Sequence, residues 1–279
     1  MAKNDLVMPV LKWVGGKRQL LQTLTPMLPK KNINDYCEPF LGGGAMLFNL
    51  QPRKAFINDI NANLILVYEV IRDDVENLID ALSNYKNDAE TFYAVRDLDR
   101  DKIKYAALSE IERAARIIYL NKTCFNGLYR VNNAGEFNTP FGSYKNPNIV
   151  NAPVLKAVSK YFNRADMTIT SLDYSEVLNS ITPKTFVYLD PPYDPVSDTA
   201  NFTGYVKGGF SREDQIKLRN CCDDLNERKI KFMLSNSSTD FIREIYANYN
   251  ITTVKAKRAV NSVASKRGDV EEVVIRNYG

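Results

Sequence analysis

The stretch TFVYLDPPYD, residues 185–194, decides the fold. Residues 186–189 form an uncharged run of β-branched and aromatic side chains, which predicts a buried strand. Asp190 ends this run, and Pro191 and Pro192 lack the N–H group that a continuing strand or helix needs. A carboxylate, a stiff diproline and the ring of Tyr193 therefore follow the carboxyl end of a buried strand. Because ligands of open α/β sheets bind at that edge, the stretch predicts an α/β fold with its site there.

The same stretch indicates a class of ligand. Asp190 and the Pro191 carbonyl are two hydrogen-bond acceptors in a fixed relation, and Tyr193 adds a flat face. This combination would suit an exocyclic amino group on a flat heterocycle, which could donate to both acceptors and stack on the ring. A proline-capped strand end that precedes a helix would have the same sequence, so the stretch alone leaves both interpretations open.

Composition limits the possible chemistry. The chain has 279 residues, of which 44% are hydrophobic and 25% charged, as in a globular protein with a substantial core. It lacks a membrane-length apolar run and a signal-peptide pattern, so we expect a cytoplasmic protein with no membrane partner. Histidine is absent and the four cysteines form no CxxC pair, which argues against a metal site and against histidine-dependent catalysis.

A glycine-rich turn lies near the amino end. Residues 35–48 read as strand, turn and helix, which would place a ligand against bare backbone at a helix N-terminus. The dinucleotide fingerprint needs a third glycine where Leu47 stands. Glu38 before the turn would repel a pyrophosphate but attract a cationic amino-acid group. These residues therefore favour S-adenosylmethionine over NAD.

Other segments add candidate ligand-binding residues. Asp59 ends a predicted strand over residues 54–58 and is well placed to bind ribose hydroxyls. Asp173 follows a further predicted strand over residues 167–171. Near the amino end, the glycines of residues 12–18 stand between lysines, a pattern that favours a carboxylate or phosphate. Residues 19–28 then predict one short helix that Pro29 stops.

The middle of the chain has a different character. Residues 61–123 are helical in pattern and carry a capping box at Ser109 and Glu112, which predicts an inserted helical region. Residues 121–148 are rich in Asn, Gly and aromatic residues, with a hairpin-like turn over residues 132–135. The exposed side chains expected here supply an apolar wedge, an amide and a guanidinium, which favours contact with nucleic acid over a plain surface hairpin; they are Phe125, Asn126, Leu128 and Arg130.

The carboxyl end alternates strands with basic and polar loops. Residues 231–236 predict a strand, and residues 251–254 and 272–276 predict strand-like edges that flank a basic segment. This basic segment is either a solvated face or a phosphate-contacting loop; its cationic residues are Lys255, Lys257, Arg258, Lys266 and Arg267. The polar loop of residues 194–210 would suit closure over a substrate.

Taken together, the motifs resemble the Dam family of DNA adenine-N6 methyltransferases of the alpha class, closest to members that methylate adenine in GATC. The matching motifs are KWVGGKRQLL (12–21), EPFLGGGA (38–45), NDIN (58–61), FNGLYRVN (125–132), GEFNTPFGSY (135–144) and DPPY (190–193). The resemblance implies a Rossmann-like S-adenosylmethionine-dependent methyltransferase fold with a mixed, mostly parallel sheet. It divides the chain into a catalytic domain of residues 1–60 and 160–279 and an inserted helical and hairpin DNA-recognition domain of residues 61–159.

The resemblance also implies roles for individual residues, with double-stranded DNA as the partner. No metal is expected from the composition, and the oligomeric state stays open with a monomer favoured. The implied catalytic motif is Asp190, Pro191, Pro192 and Tyr193. The implied S-adenosylmethionine site is Trp13, Lys17, Glu38, Phe40, Gly42, Gly44, Asp59, Asp173 and Asp190. The implied DNA contacts are Phe125, Asn126, Leu128, Arg130 and Pro140, to which Lys255, Lys257 and Arg258 are added as phosphate contacts. Many members read Asn-Arg where this chain has Asn121-Lys122, which weakens a bidentate contact there.

Three alternatives stay open at this stage. The acceptor geometry would also suit methylation of cytosine N4 or of an RNA base. A non-catalytic DNA-binding module is a second alternative, although an acid at every strand end argues against it. An NAD oxidoreductase is the weakest, for want of the third glycine.

Overall fold

The computed structural model describes residues 3–29, 33, 35–196, 209–257 and 269–279, with the backbone alone described at residues 256, 257, 269 and 270. One sheet of seven strands organises these residues, in the order β3-β2-β1-β4-β5-β7-β6. The strands are β1 Asp35–Glu38, β2 Lys54–Asn58, β3 Asp166–Thr170, β4 Thr185–Leu189, β5 Lys231–Ser237, β6 Asn250–Lys257 and β7 Asp269–Arg276. Strands β1 to β5 are parallel and β7 runs antiparallel to β5 and β6. The predicted α/β fold, with a mixed, mostly parallel sheet typical of S-adenosylmethionine-dependent methyltransferases, is confirmed.

Helices fill the chain between the strands. In the described residues they are α1 Leu21–Leu24, α2 Ala45–Leu50, α3 Ala62–Asp73, α4 Val75–Ser83, α5 Ala89–Asp97, α6 Lys102–Ala107, α7 Glu110–Thr123, α8 Ala152–Arg164, α9 Tyr174–Ser180, α10 Arg212–Glu227 and α11 Asp240–Ile245. Short 3-10 turns occupy Lys17–Gln19, Thr25–Met27, Leu98–Arg100 and Phe125–Gly127. No described helix is long and apolar enough to cross a membrane.

Period-two alternation gives the sheet two buried faces. Along β4, Phe186 and Tyr188 join the core on one face, and Val187 and Leu189 join the core on the other. The first core is continuous with the apolar faces of α3, α4 and α7. The second packs against α9, α10 and α11. Strand β4 is fully buried because helices cover both of its faces, as is usual for parallel strands.

Sequence patterns predicted most elements but not every boundary. The capping box of Ser109 and Glu112 begins α7 as predicted. The single helix predicted over residues 19–28 is wrong: the segment is a 3-10 turn, the four-residue α1 and a second 3-10 turn. Pro26 lies in that second turn and has no N–H to continue an α-helical ladder. The prediction of β7 as an edge is wrong, because β7 lies between β5 and β6, and the edge strands of the sheet are β3 and β6.

Candidate active site

Four acidic side chains stand at the carboxyl ends of adjacent parallel strands. Glu38 is the last residue of β1, and Asp190 and Asp59 directly follow β4 and β2. Asp173 lies three residues beyond β3. Because β3, β2, β1 and β4 are neighbours, these acids lie along one edge of the sheet. The order of the strands reverses between β1 and β4, and such a switch point is where open α/β sheets bind ligands.

Asp190 pairs with a lysine from the amino-terminal motif. The Nζ of Lys17 lies 2.9 Å from Oδ1 of Asp190 and also donates to the Gly15 carbonyl at 2.7 Å. Lys17 is 5% exposed, so this cation is taken out of water to meet the carboxylate. Burial raises the pKa of Asp190 to about 6, the charge of Lys17 opposes that rise, and Glu272 adds to it. The carboxylate is therefore ionised at neutral pH but close to its titration range.

Tyr193 is held at two points. The Lys17 ammonium lies 4.5 Å from the centroid of its ring, a cation–π contact. Its hydroxyl donates to Oε2 of Glu272 on β7 at 2.7 Å. Burial raises the pKa of Tyr193, so the hydroxyl stays protonated and acts as the donor. Sequence reasoning missed Glu272, because it lies 79 residues from Tyr193 in a segment read only as a strand.

The glycine-rich turn after β1 is held by Asp59. Oδ2 of Asp59 accepts from the Gly42 N–H at 2.9 Å, and Oδ1 accepts from the Asn61 N–H at 2.9 Å. Gly42 and Gly44 have φ of +50° and +67°, a region that glycine adopts without strain. A Cβ on Gly42 would lie 2.9 Å from Cδ1 of Trp13, so the indole packs directly on the turn. The structure thus brings Trp13, Gly42, Gly44 and Asp59 together.

Glu38 is more deeply buried than the other three acids of this edge. It is 2% exposed, and its Oε2 accepts from the Tyr36 hydroxyl at 2.6 Å and from the Leu47 N–H at 3.1 Å. Burial raises the pKa of Glu38 to about 8, although both hydrogen bonds oppose that rise. A cationic group beside it would favour the ionised form. Glu38 therefore anchors the start of α2 and offers a carboxyl group whose charge depends on what lies next to it.

The far end of the acidic edge is aromatic. Phe40 packs on Tyr174 with the ring centroids 5.1 Å apart and meets Phe210 edge-on at 6.1 Å. Asp173 is exposed and begins α9, with Oδ1 accepting from the Ser175 N–H at 2.9 Å. This places a flat apolar surface and a carboxylate side by side, as a nucleobase-like ligand would require.

The candidate DNA contacts form one segment after α7. The side chain of Phe125 is 53% exposed, and its N–H donates to the Pro140 carbonyl at 2.9 Å, so these two residues are adjacent. Arg130 is exposed, and its Nε donates to Oδ1 of Asn138 at 2.7 Å. Asn126 and Leu128 are half-buried, whereas the sequence predicted both as exposed. The hairpin that follows closes through the predicted turn, with a bridge between Val131 and Phe137.

Asn121 and Lys122 bind main chain. Asn121 accepts from the Lys12 N–H at 2.9 Å and donates to the Lys12 carbonyl at 2.8 Å and the Gly127 carbonyl at 3.1 Å. Lys122 Nζ donates to the Val10 carbonyl at 2.5 Å. These contacts join the amino-terminal motif to the end of α7. The interpretation of Lys122 as a weakened bidentate contact is therefore corrected, because its ammonium is used within the protein.

The basic segment is only partly described. The side chain of Lys255 on β6 is exposed and lines an open cleft with Arg18 and Gln22 of the amino-terminal motif. Lys257 belongs to β6, but its side chain lies outside the described residues, as do Arg258, Lys266 and Arg267. The loop predicted to close over a substrate, residues 194–210, is described only at its two ends. Lys255 is thus the one predicted phosphate contact of this segment whose side chain the described residues include.

Comparison with known proteins identifies similar sequences along nearly the whole chain. The model of the family "D12 class N6 adenine-specific DNA methyltransferase" matches residues 13–260. The chain is 43% identical over 282 residues to Type II methyltransferase M1.LlaDCHI of Lactococcus lactis subsp. cremoris, covering 100% of this chain and 99% of that one. It is 44% identical over 291 residues to Type II methyltransferase M.MjaIII of Methanocaldococcus jannaschii, covering 98% and 99%. It is 33% identical over 268 residues to the DNA adenine methylase of Escherichia coli K12, covering 95% and 93%.

Proposed function

Because this chain belongs to the D12 class of N6 adenine-specific DNA methyltransferases, we propose that it uses S-adenosylmethionine to methylate a flipped adenine of duplex DNA within GATC. The observation that carries this proposal is the position of Asp190. It follows β4 directly, beside the strand β1 that leads into the glycine-rich turn. Neighbouring strands lie about 4.8 Å apart, so a base at Asp190 and a ligand on the turn would be adjacent.

The residues at the turn fit S-adenosylmethionine. A Cβ on Gly42 or Gly44 would lie 2.9 Å from Trp13 or Phe48, so the glycines let these rings pack on the turn that the ligand would meet. A carboxylate has about four lone-pair sites, so Asp59 keeps acceptor capacity for ribose hydroxyls after its two backbone contacts. Glu38 would bind the cationic amino-acid group. The remaining proposed contacts are Trp13, Phe40 and Asp173. When bound, S-adenosylmethionine supplies an electrophilic methyl group on sulfur.

At the diproline motif the chain's own groups prepare the adenine. The target base leaves the duplex stack at a cost of about a few kcal/mol. Asp190 and the Pro191 carbonyl each accept one hydrogen of N6, which turns the nitrogen lone pair toward the methyl donor. Tyr193 stacks on the base, and the proton that N6 finally releases passes to Asp190 or to solvent. Orientation of two bound reactants supplies most of the rate.

Lys17 has a different part in this proposal from the one its motif suggested. Its ammonium contacts Asp190 and Tyr193, so we assign it to holding the Asp190 carboxylate ionised and in place. The Lys17 ammonium contacts the same oxygen of Asp190 that the amino group of the substrate would use. Entry of the adenine then requires Lys17 to share or yield Oδ1 of Asp190.

The GATC assignment and the biological role rest on similarity. By the resemblance of their motifs, the candidate readout residues would fall where the family reads its site; they are Phe125, Asn126, Leu128, Arg130 and Pro140. Two relatives carry the name type II methyltransferase, which supports a role beside a restriction nuclease. We also propose that residues 61–159 form the inserted recognition domain, because α4 to α7 and the hairpin follow one another with no intervening strand of the sheet.

One experiment tests the proposal. The protein is incubated with S-adenosylmethionine labelled at its methyl group and with duplexes that differ only by the presence of GATC. The proposal expects label in N6-methyladenine from the GATC duplex alone, and resistance of that product to a nuclease that cuts unmethylated GATC. Label in N4-methylcytosine would overturn the adenine assignment. Equal label in both duplexes would overturn GATC but leave adenine methylation standing.

A further inference from the structure

Two buried carboxamides bridge the residues on either side of Tyr193. Gln215 on α10 donates from Nε2 to the Pro192 carbonyl at 2.8 Å. Asn236 on β5 accepts at Oδ1 from the Asp194 N–H at 3.1 Å. The two side chains join each other, Nδ2 of Asn236 donating to Oε1 of Gln215 at 3.0 Å. Both are fully buried, at 0% exposure.

The bridge has a defined direction. It begins at the N–H of Asp194, passes through both amides, and ends at the carbonyl of Pro192. The intervening residue is Tyr193, whose two flanking peptides are therefore fixed from outside. Restricted φ at Pro191 and Pro192 limits the conformations that connect the Pro192 carbonyl to the Pro191 carbonyl and Asp190, so a fixed Pro192 carbonyl helps to fix the other two.

Further contacts hold the same segment from the Asp194 side. The carboxylate of Asp194 is 1% exposed and accepts from the Thr239 hydroxyl at 2.7 Å and from Nε of Arg212 at 3.1 Å. The Asp194 carbonyl accepts from the Ser237 hydroxyl at 2.7 Å. These groups already anchor residue 194 to β5, α10 and the start of α11. The contact that depends on the bridge alone is therefore the one at the Pro192 carbonyl.

We propose that Gln215 and Asn236 are positioning residues for methyl transfer, and that their bridge sets the orientation of Tyr193 and the Pro191 carbonyl toward the target base. This inference rests on the proposed function, in which Tyr193 is the stacking platform. Neither residue contacts the base. They act through the peptides on both sides of Tyr193, while Glu272 fixes the hydroxyl at the far end of the same ring.

A conservative substitution gives a specific test. In Gln215→Glu the protonated acid reproduces the amide, since its O–H donates to the Pro192 carbonyl and its other oxygen accepts from Asn236. The ionised acid has no donor and would repel that carbonyl. We expect the ratio of variant to wild-type kcat to fall about tenfold or more as pH rises from 6 to 9. A ratio that stays constant over this range would overturn the proposal.

Two further variants separate positioning from stability. Gln215→Met removes the donor at similar length and should lower kcat about tenfold to a hundredfold, with the Kd values for S-adenosylmethionine and DNA within about twofold of wild type. The matched control is Ser235→Ala, at the residue before Asn236 on β5, which removes a buried hydrogen bond to Tyr188 of β4 and should leave kcat within about twofold. Equal losses of kcat in the two variants, at equal losses of Tm, would mean that the bridge only stabilises the fold.

A measurement without turnover keeps this inference independent of the proposed function. In protein with isotopically labelled tyrosine, the ring signals of Tyr193 are assigned by their loss in Tyr193→Phe. Gln215→Met should shift these signals in the free protein, and Ser235→Ala should leave them in place. If the wild type transfers no methyl group to DNA, the proposed function fails. If the Tyr193 signals do not move in Gln215→Met, the positioning inference fails, whether or not the wild type transfers a methyl group.

Discussion

The ammonium of Lys17 lies 2.9 Å from Oδ1 of Asp190, although 173 positions of sequence separate the two residues. This ion pair connects the amino-terminal glycine-lysine motif to the diproline motif after β4. It also makes the ionisation of Asp190 depend on residues outside that motif. Burial raises the pKa of Asp190, the charge of Lys17 opposes this, and Glu272 adds to it. Substitutions at Lys17 and at Glu272 should therefore move the pKa of Asp190 in opposite directions.

Replacing Lys17 with Met should shift the acid limb of the pH profile to higher pH. Asp190 must be ionised to act purely as a hydrogen-bond acceptor for the substrate. Wild-type kcat/KM should therefore fall as pH drops through about 6. Without the ammonium the carboxylate loses the charge that favours it, and the midpoint should rise by about 1–3 pH units. Methylation initial rates from pH 5 to 9 measure this. An unchanged midpoint would show that the pair does not control Asp190.

Replacing Glu272 with Gln should shift the same limb in the opposite direction. The amide keeps an acceptor for the Tyr193 hydroxyl but removes the negative charge that raises the pKa of Asp190. The midpoint of kcat/KM should move to lower pH, while the activity at pH 8 stays within about threefold of wild type. The same rate series serves for both variants. A shift toward higher pH in Glu272→Gln would contradict the electrostatic account.

Replacing Asp190 with Ala should abolish turnover while S-adenosylmethionine still binds. Loss of one preorganised group that acts on the reacting centre typically costs about 10²–10³-fold in kcat, and Asp190 is also the partner of buried Lys17. Single-turnover methylation and calorimetric titration of S-adenosylmethionine separate the two effects. Asp59→Ala is the opposite control, because it should weaken S-adenosylmethionine binding first. Methylation at the wild-type rate by Asp190→Ala would remove the central assignment.

The fold and the acidic edge could be predicted because both depend on local patterns. Alternation and turn residues marked β1, β2, β4 and β5, and three of the acids, Glu38, Asp59 and Asp190, end or directly follow their strands. The contacts that hold the catalytic segment could not be predicted. Gln215 and Asn236 look like ordinary polar residues of a helix and a strand end, and only the sheet order brings them to Tyr193. Glu272 is similar, since it reaches Tyr193 only because β7 enters the sheet between β5 and β6.

The partners of Asn121 and Lys122 could not be predicted either. Asn121 and Lys122 have the chemistry of base or phosphate contacts, but their partners include main-chain groups of Lys12 and Val10, more than 100 positions away. A sequence pattern states what a side chain can bind and not which backbone lies next to it. The amino-terminal segment supplies that backbone, and its path is fixed by tertiary packing of Trp13 on Tyr129 at 5.0 Å.

Replacing Arg130 with Ala should relax discrimination at one base. Its Nε is bound to Oδ1 of Asn138, so the guanidinium is held in one plane before DNA arrives. Loss of one bidentate contact typically costs about 1–3 kcal/mol of discrimination. Competition between GATC and duplexes altered at one position measures this, with Asn138→Ala as a milder variant that removes the side-chain contact of the guanidinium and keeps its contact to the Asn138 carbonyl. Equal weakening on all duplexes would identify Arg130 as a phosphate contact.

Replacing Lys255 with Ala should weaken DNA binding without changing its sequence preference. The side chain is exposed at the edge strand β6, beside the cleft that Arg18 shares, so we propose that it meets a phosphate. Loss of one phosphate contact should reduce the slope of log K against log salt concentration by about 1. Fluorescence titrations at several salt concentrations measure this. The matched control is Lys184→Ala, since Lys184 is also exposed but lies at the amino end of the central strand β4. If both variants changed the slope equally, the effect would come from net charge, and Lys255 would have no defined place in the DNA interface.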